Sequence, residues 1–129
     1  MAPRRMPRPL ENSLKKTVLK RLKQMYPEAC VRKRHGSAYA TAGDPDIYFL
    51  AYGVHVELEL KAPGEAPTRL QTARLQAWKK AGAHVGVITT IAELESFLAE
   101  LAAAGILVPA GSPGEPGKGF PRGGGSRGK

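Results

Sequence analysis

The chain has 129 residues, with 20 Lys+Arg against 11 Asp+Glu, a single cysteine and a formal net charge of +9. That length fills one hydrophobic core and not two, and a lone cysteine excludes both an intrachain disulfide framework and a Cys-based zinc cluster. No stretch approaches the ~18 consecutive apolar residues of a membrane span, and no apolar run of signal-peptide length follows the basic N-terminus, so the expected location is cytoplasmic and reducing.

Residues 1–9 carry three Arg and three Pro and read as a basic disordered arm. From residue 10 to 26 the pattern is helical: Leu10, Leu14, Val18, Leu22 and Met25 form one apolar stripe, lysines and arginine cover the rest, and Pro27 ends it. Residues 29–34 predict a short strand, with Cys30 expected as a small core residue, and residues 35–43 have a loop composition. Residues 47–51 and 54–61 predict a β-hairpin turning at Tyr52-Gly53. In its second strand Val54, Val56, Leu58 and Leu60 point one way, and His55, Glu57, Glu59 and Lys61 the other. Thr68 can cap a helix running to about Lys80, with Leu70, Ala73, Ala77, Trp78 and Ala81 on or near its buried face. Residues 84–89 predict a strand. Thr90 and Glu93 form a capping box for a last helix striped by Ile91, Leu94, Leu98 and Leu101 and ending at Gly105. From Pro109 onward 12 of 21 residues are Gly or Pro, a tail composition. The fold class is therefore α/β in the order α-β-β-β-α-β-α, a mixed central sheet flanked by helices, with residues 10–108 as the domain between arm (1–9) and tail (109–129).

Charge is divided unevenly along this order. Residues 1–35 hold 11 basic and 2 acidic side chains, whereas residues 36–65 hold 1 basic and 5 acidic. The basic part points to a polyanion, because each phosphate contact releases condensed counterions. Lys15, Lys16, Arg32, Lys33 and Arg34 are the candidate phosphate contacts. The acidic island needs a separate reason. A turn centred on Tyr52-Gly53 sets Asp46, which follows Pro45, opposite Glu59. Lys61 lies two residues further on the same face, about 6.5–7 Å along the strand. Two carboxylates and an ammonium group at one end of a sheet suit a hard divalent cation such as Mg²⁺, which takes oxygen ligands and keeps several waters. Glu57 and Asp44 satisfy only part of this spacing and read as surface or turn residues, and His55 as a surface histidine.

Gly43-Asp44-Pro45-Asp46, followed after a hydrophobic hairpin by Glu59-Leu60-Lys61, resembles the PD-(D/E)XK nuclease superfamily. Gln71, ten residues after Lys61, and the later Trp78 and Ala81-Gly82-Ala83-His84-Val85 stretch make it most similar to the VRR-NUC branch, with a Holliday-junction-resolvase-like glutamate at Glu11. One departure is Trp78, which stands further from Gln71 than the usual aromatic, and the tail after Val108 has no counterpart in the family. The resemblance implies a restriction-endonuclease-like core and phosphodiester hydrolysis dependent on Mg²⁺ (or Mn²⁺). It implies Asp46, Glu59 and the Leu60 carbonyl as metal ligands, and Lys61 as the residue that positions the attacking water. Gln71 would hydrogen-bond within the site and Glu11 would bind the hydration shell or a second ion. By the same analogy the substrate is DNA, preferably branched, the location nucleoid-associated and the assembly a homodimer. The rival is a non-catalytic basic nucleic-acid-binding module. A membrane-surface role is disfavoured because the first helix lacks aromatic anchors.

Overall fold

A computed structural model of the chain describes residues 8–34 and 41–111. Its elements are α1 (Arg8–Met25), β1 (Cys30–Lys33), β2 (Ile47–Ala51), β3 (Val54–Leu60), α2 (Arg69–Lys80), β4 (His84–Ile88) and α3 (Ile91–Ala103). Helix α1 thus begins inside the stretch read as an arm, while residues 35–40 of the expected loop and most of the tail lie outside the described residues.

The sheet is mixed, in the order β1-β2-β3-β4, with β1–β2 and β2–β3 antiparallel and β3–β4 parallel. Hairpin register is set at the turn. Tyr52 and Gly53 have φ of 51° and 82°, the left-handed pair of a two-residue turn whose twist matches the flanking strands. The ladder then runs from Ala51↔Val54 to Ile47↔Leu58, which sets Asp46 opposite Glu59 one position further on. A central β3 has both faces covered, and that decides what its polar face becomes.

On one face Ile47, Phe49, Val56, Leu58 and Leu60 join Val18 and Leu22 of α1 and Leu94, Leu98 and Leu101 of α3 in a single core. Burial of each such side chain contributes about 1.5–3 kcal/mol. Tyr26 completes this layer, stacked on Phe49 with centroids 5.5 Å apart. Its hydroxyl is buried and has no hydrogen-bond partner among the described residues, and burial pushes its pKa up to about 12. Cys30 is exposed, contrary to expectation. In the edge strand β1 only Val31 turns into the core, and alternation sends Cys30 the other way.

Helix α2 lies on the opposite face, where Trp78 stacks on His55. Of the residues expected on or near its buried face Trp78 meets the sheet, but Leu70 is 44% exposed and Ala73, Ala77 and Ala81 are exposed, and Leu75 is its one buried residue. The sheet beneath is polar, and the helix sets the apolar Leu75 against it together with Arg74 and Trp78, which combine apolar bulk with a hydrogen-bonding end. At its start Thr68 Oγ1 accepts from the Gln71 N–H and Gln71 Oε1 from the Thr68 N–H, a reciprocal capping box. At α3 the expected box is shifted: Thr90 Oγ1 accepts from the Glu93 N–H, but the Glu93 carboxylate reaches Thr89. No helix among the described residues is long and apolar enough to cross a membrane.

Candidate active site

The segment carrying Asp46 is shaped by its neighbours. Gly43 has a φ of +83°, and a Cβ there would lie 2.6 Å from Leu70 Cγ, so only glycine lets α2 settle on this turn. Arg74 Nε donates to the Ala42 carbonyl at 2.9 Å, and Trp78 Nε1 to Asp44 Oδ1 at 3.1 Å. Two residues on, Asp46 Oδ2 accepts from the Leu60 N–H at 2.8 Å. The carboxylate is therefore fixed to the strand position between Glu59 and Lys61.

Glu59 is 2% exposed. Burial pushes its carboxyl up to about 7, the Asp46 charge adds to the push, and Lys61 and Lys15 pull against it. Lys61 Nζ stands 3.6 Å from Glu59 Oε2, and its backbone N–H extends the parallel ladder to the Ile88 carbonyl. Asp46, Glu59 and Lys61 are thus brought together as expected, with Leu60 between them. Lys15 of α1 comes near enough to bias Glu59 electrostatically, while Lys16, Arg32 and Lys33 are exposed. Gln71 is engaged in the cap of α2 and makes no hydrogen bond to Asp46, Glu59 or Lys61. Glu11 belongs to α1, but its side chain lies outside the described residues.

Three sequence expectations are corrected next to this site. Glu57 is not a surface residue: it is 0% exposed, bound by Arg34 Nη1 at 2.5 Å, Arg34 Nη2 at 3.0 Å and His55 Nε2 at 2.6 Å. His55 is partly buried, donating to Glu57 and stacked between Tyr48 and Trp78 at 5.9 and 5.3 Å. Arg34 does not reach out to phosphate. Its guanidinium is committed to Glu57 and to the Pro45 carbonyl at 2.8 Å, and packs over the rings of Tyr48 and Trp78. Arg34 occupies the sheet row of Asp46 and Glu59, inside the covered layer, so its charge is spent within the fold. Alternation of the kind seen in His55-Glu57-Glu59-Lys61 ordinarily marks a solvated sheet face; here α2 covers that face, and its buried groups are paired within the fold.

The α/β core with its mixed sheet thus sets two carboxylates beside a lysine at the end of a central strand. The particular fold is that of VRR_NUC domains. One solved structure named "VRR_NUC domain" matches with a TM-score of 0.60 and 23% identity, over 70% of this chain and 95% of its own. Another, named "VRR_NUC domain protein", matches with a TM-score of 0.58 and 17% identity, over 70% and 86%. No protein-family profile and no curated protein matches the sequence.

Proposed function

We propose that the protein is a metal-dependent endodeoxyribonuclease that hydrolyses phosphodiester bonds, with Mg²⁺ (or Mn²⁺) held by Asp46 and Glu59. The observation that carries the reading is this carboxylate pair, one member buried, beside Lys61 at the end of β3. The donor set fits a hard cation. Two converging carboxylates, one of them desolvated, repel each other when ionised, and a divalent ion between them removes that repulsion. Among the described residues no group of three or more His, Cys, Asp or Glu side chains converges. Asp46 and Glu59 would therefore share the ion with the Leu60 carbonyl, water and phosphate oxygens.

When bound, such an ion supplies Lewis-acid polarisation of a phosphoryl oxygen and a water of lowered pKa. The chain's own residues do the rest. The Leu60 N–H fixes the orientation of the Asp46 carboxylate. The Lys61 ammonium, 3.6 Å from Glu59, is within reach of an attacking water and of the negative charge that develops on phosphate. Lys15 adds positive charge from α1. Gln71 contributes through the amide N–H₂ left after its carbonyl is taken by the cap, and Glu11 through the hydration shell. Lys16, Arg32 and Lys33 grip the DNA backbone. Phosphate contacts position a protein without reading bases, which favours recognition of DNA shape, with branched or junction DNA the preferred substrate. Two symmetric cuts across a junction require two sites, hence a homodimer.

The test is cleavage of four-way, flap and linear duplex DNA with Mg²⁺ and with EDTA. Metal-dependent nicking strongest on the four-way junction, with paired symmetric cuts, supports the whole reading. Salt-sensitive binding that ignores metal, with no cleavage of any substrate, would establish the non-catalytic binding module instead.

A further inference from the structure

Resting on that reading of Asp46, we infer that Arg34 and Glu57 form a positioning pair that sets the Asp46 carboxylate for metal, although neither side chain hydrogen-bonds to Asp46 or Glu59. The backbone around Asp46 is pinned from one side by Arg34. Its N–H donates to the Asp46 carbonyl at 2.8 Å, and its Nη1 donates to the Pro45 carbonyl at 2.8 Å. The guanidinium can hold that carbonyl only while its own plane is fixed. Glu57 fixes it, accepting from both Nη atoms at 2.5 and 3.0 Å. Tyr48 and Trp78 hold its faces, with ring centroids 4.4 and 5.1 Å from Cζ. The same Trp78 binds Asp44, so Asp44, Pro45 and Asp46 are all tied to one cluster.

Stability alone does not account for this pair. A buried ion pair is commonly replaced by apolar side chains of similar volume at no loss. What an apolar pair cannot reproduce is the donor to the Pro45 carbonyl. Nor can lysine, because the position asks for two bonds to a carboxylate, one to a carbonyl and two stacked faces, which a planar fork supplies and an ammonium does not. The pair therefore orients a group that would bind the ion, as the outer partners of metal ligands do.

The experiment compares the full chain with an R34M/E57L variant and with Arg34→Lys. Mn²⁺ binding is measured by calorimetry, the Mg²⁺ dependence of cleavage as a KM against kcat split, and folding by thermal melting. The expected result is an R34M/E57L protein that melts near the wild-type temperature but binds Mn²⁺ about 10–100-fold more weakly. Its cleavage is restored towards wild-type kcat by raising Mg²⁺. Arg34→Lys weakens Mn²⁺ in the same direction. A folded R34M/E57L that binds Mn²⁺ within twofold of wild type overturns the inference. If that variant does not fold, a folded Arg34→Lys binding Mn²⁺ like wild type overturns it equally. Absence of Mn²⁺ binding in the wild-type chain would refute the metal reading itself, and the positioning role with it.

Discussion

Glu59→Gln should stabilise the metal-free protein while removing its activity. Glu59 is buried beside Asp46, and its carboxyl is pushed from 4.5 up to about 7. The folded state therefore binds its proton more tightly than the unfolded state does. Between pH 4.5 and 7 the native protein carries more protons, so its stability falls as pH rises through that window and stays low above it. The full shift corresponds to about 3 kcal/mol of destabilisation at pH 8, and to less than about 1 kcal/mol at pH 5. Glutamine keeps the shape and removes the charge, so it recovers most of this. For a domain of this size that is a rise in melting temperature of roughly 10 °C at pH 8. The assay is thermal melting of both proteins in EDTA at pH 5 and pH 8, repeated at pH 8 with Mn²⁺. The wild type should gain stability from Mn²⁺ by mass action, and the variant should gain little. A variant no more stable than wild type at pH 8, or one whose advantage is the same at both pH values, would refute the electrostatic account of the site.

Other outcomes follow from single residues. Lys61→Met should leave DNA affinity within a few-fold and lower the cleavage rate by about 10²-fold or more, measured in single turnover. Gly43→Ala should cost about 2 kcal/mol or more in urea unfolding, because the added Cβ meets Leu70 at 2.6 Å and the φ of +83° is strained for alanine. Tyr26→Phe should stabilise by about 1 kcal/mol, since the hydroxyl it removes is buried without a partner among the described residues. Alanine at Lys16, Arg32 and Lys33 should weaken binding alike on all DNA sequences, and reduce the salt slope by about 0.9 for each phosphate that is no longer neutralised.

Local rules make the hairpin legible. A two-residue turn at Tyr52-Gly53 fixes every pairing from Ala51↔Val54 to Ile47↔Leu58, and with it the meeting of Asp46 and Glu59. The stripes of α1 and α3 are readable because one face of each meets an apolar layer. Reading fails where burial is polar. The spacing in α2 predicts Leu70, Trp78 and three alanines on or near its buried face, but the sheet under it presents His55, Glu57 and Glu59, and of that set only Trp78 meets it, beside Arg74 and Leu75. Arg34 and Glu57, 23 residues apart, look solvated on their own strands. Only the position of β3 between β2 and β4 under a covering helix turns them into a buried pair. Gln71 shows the reverse: a residue singled out for the site has its carbonyl in a helix cap, a local role already signalled by Thr68 three residues before it.

The most direct measurement is single-turnover cleavage of an end-labelled four-way DNA junction by the wild-type chain and by Asp46→Ala, in Mg²⁺ and in EDTA. The account predicts cutting by the wild type with Mg²⁺, none in EDTA, and none by the folded Asp46→Ala variant, which lacks the carboxylate fixed to the Leu60 N–H beside Glu59. Cutting that persists in EDTA, or an Asp46→Ala protein that cuts as fast as wild type, would contradict it.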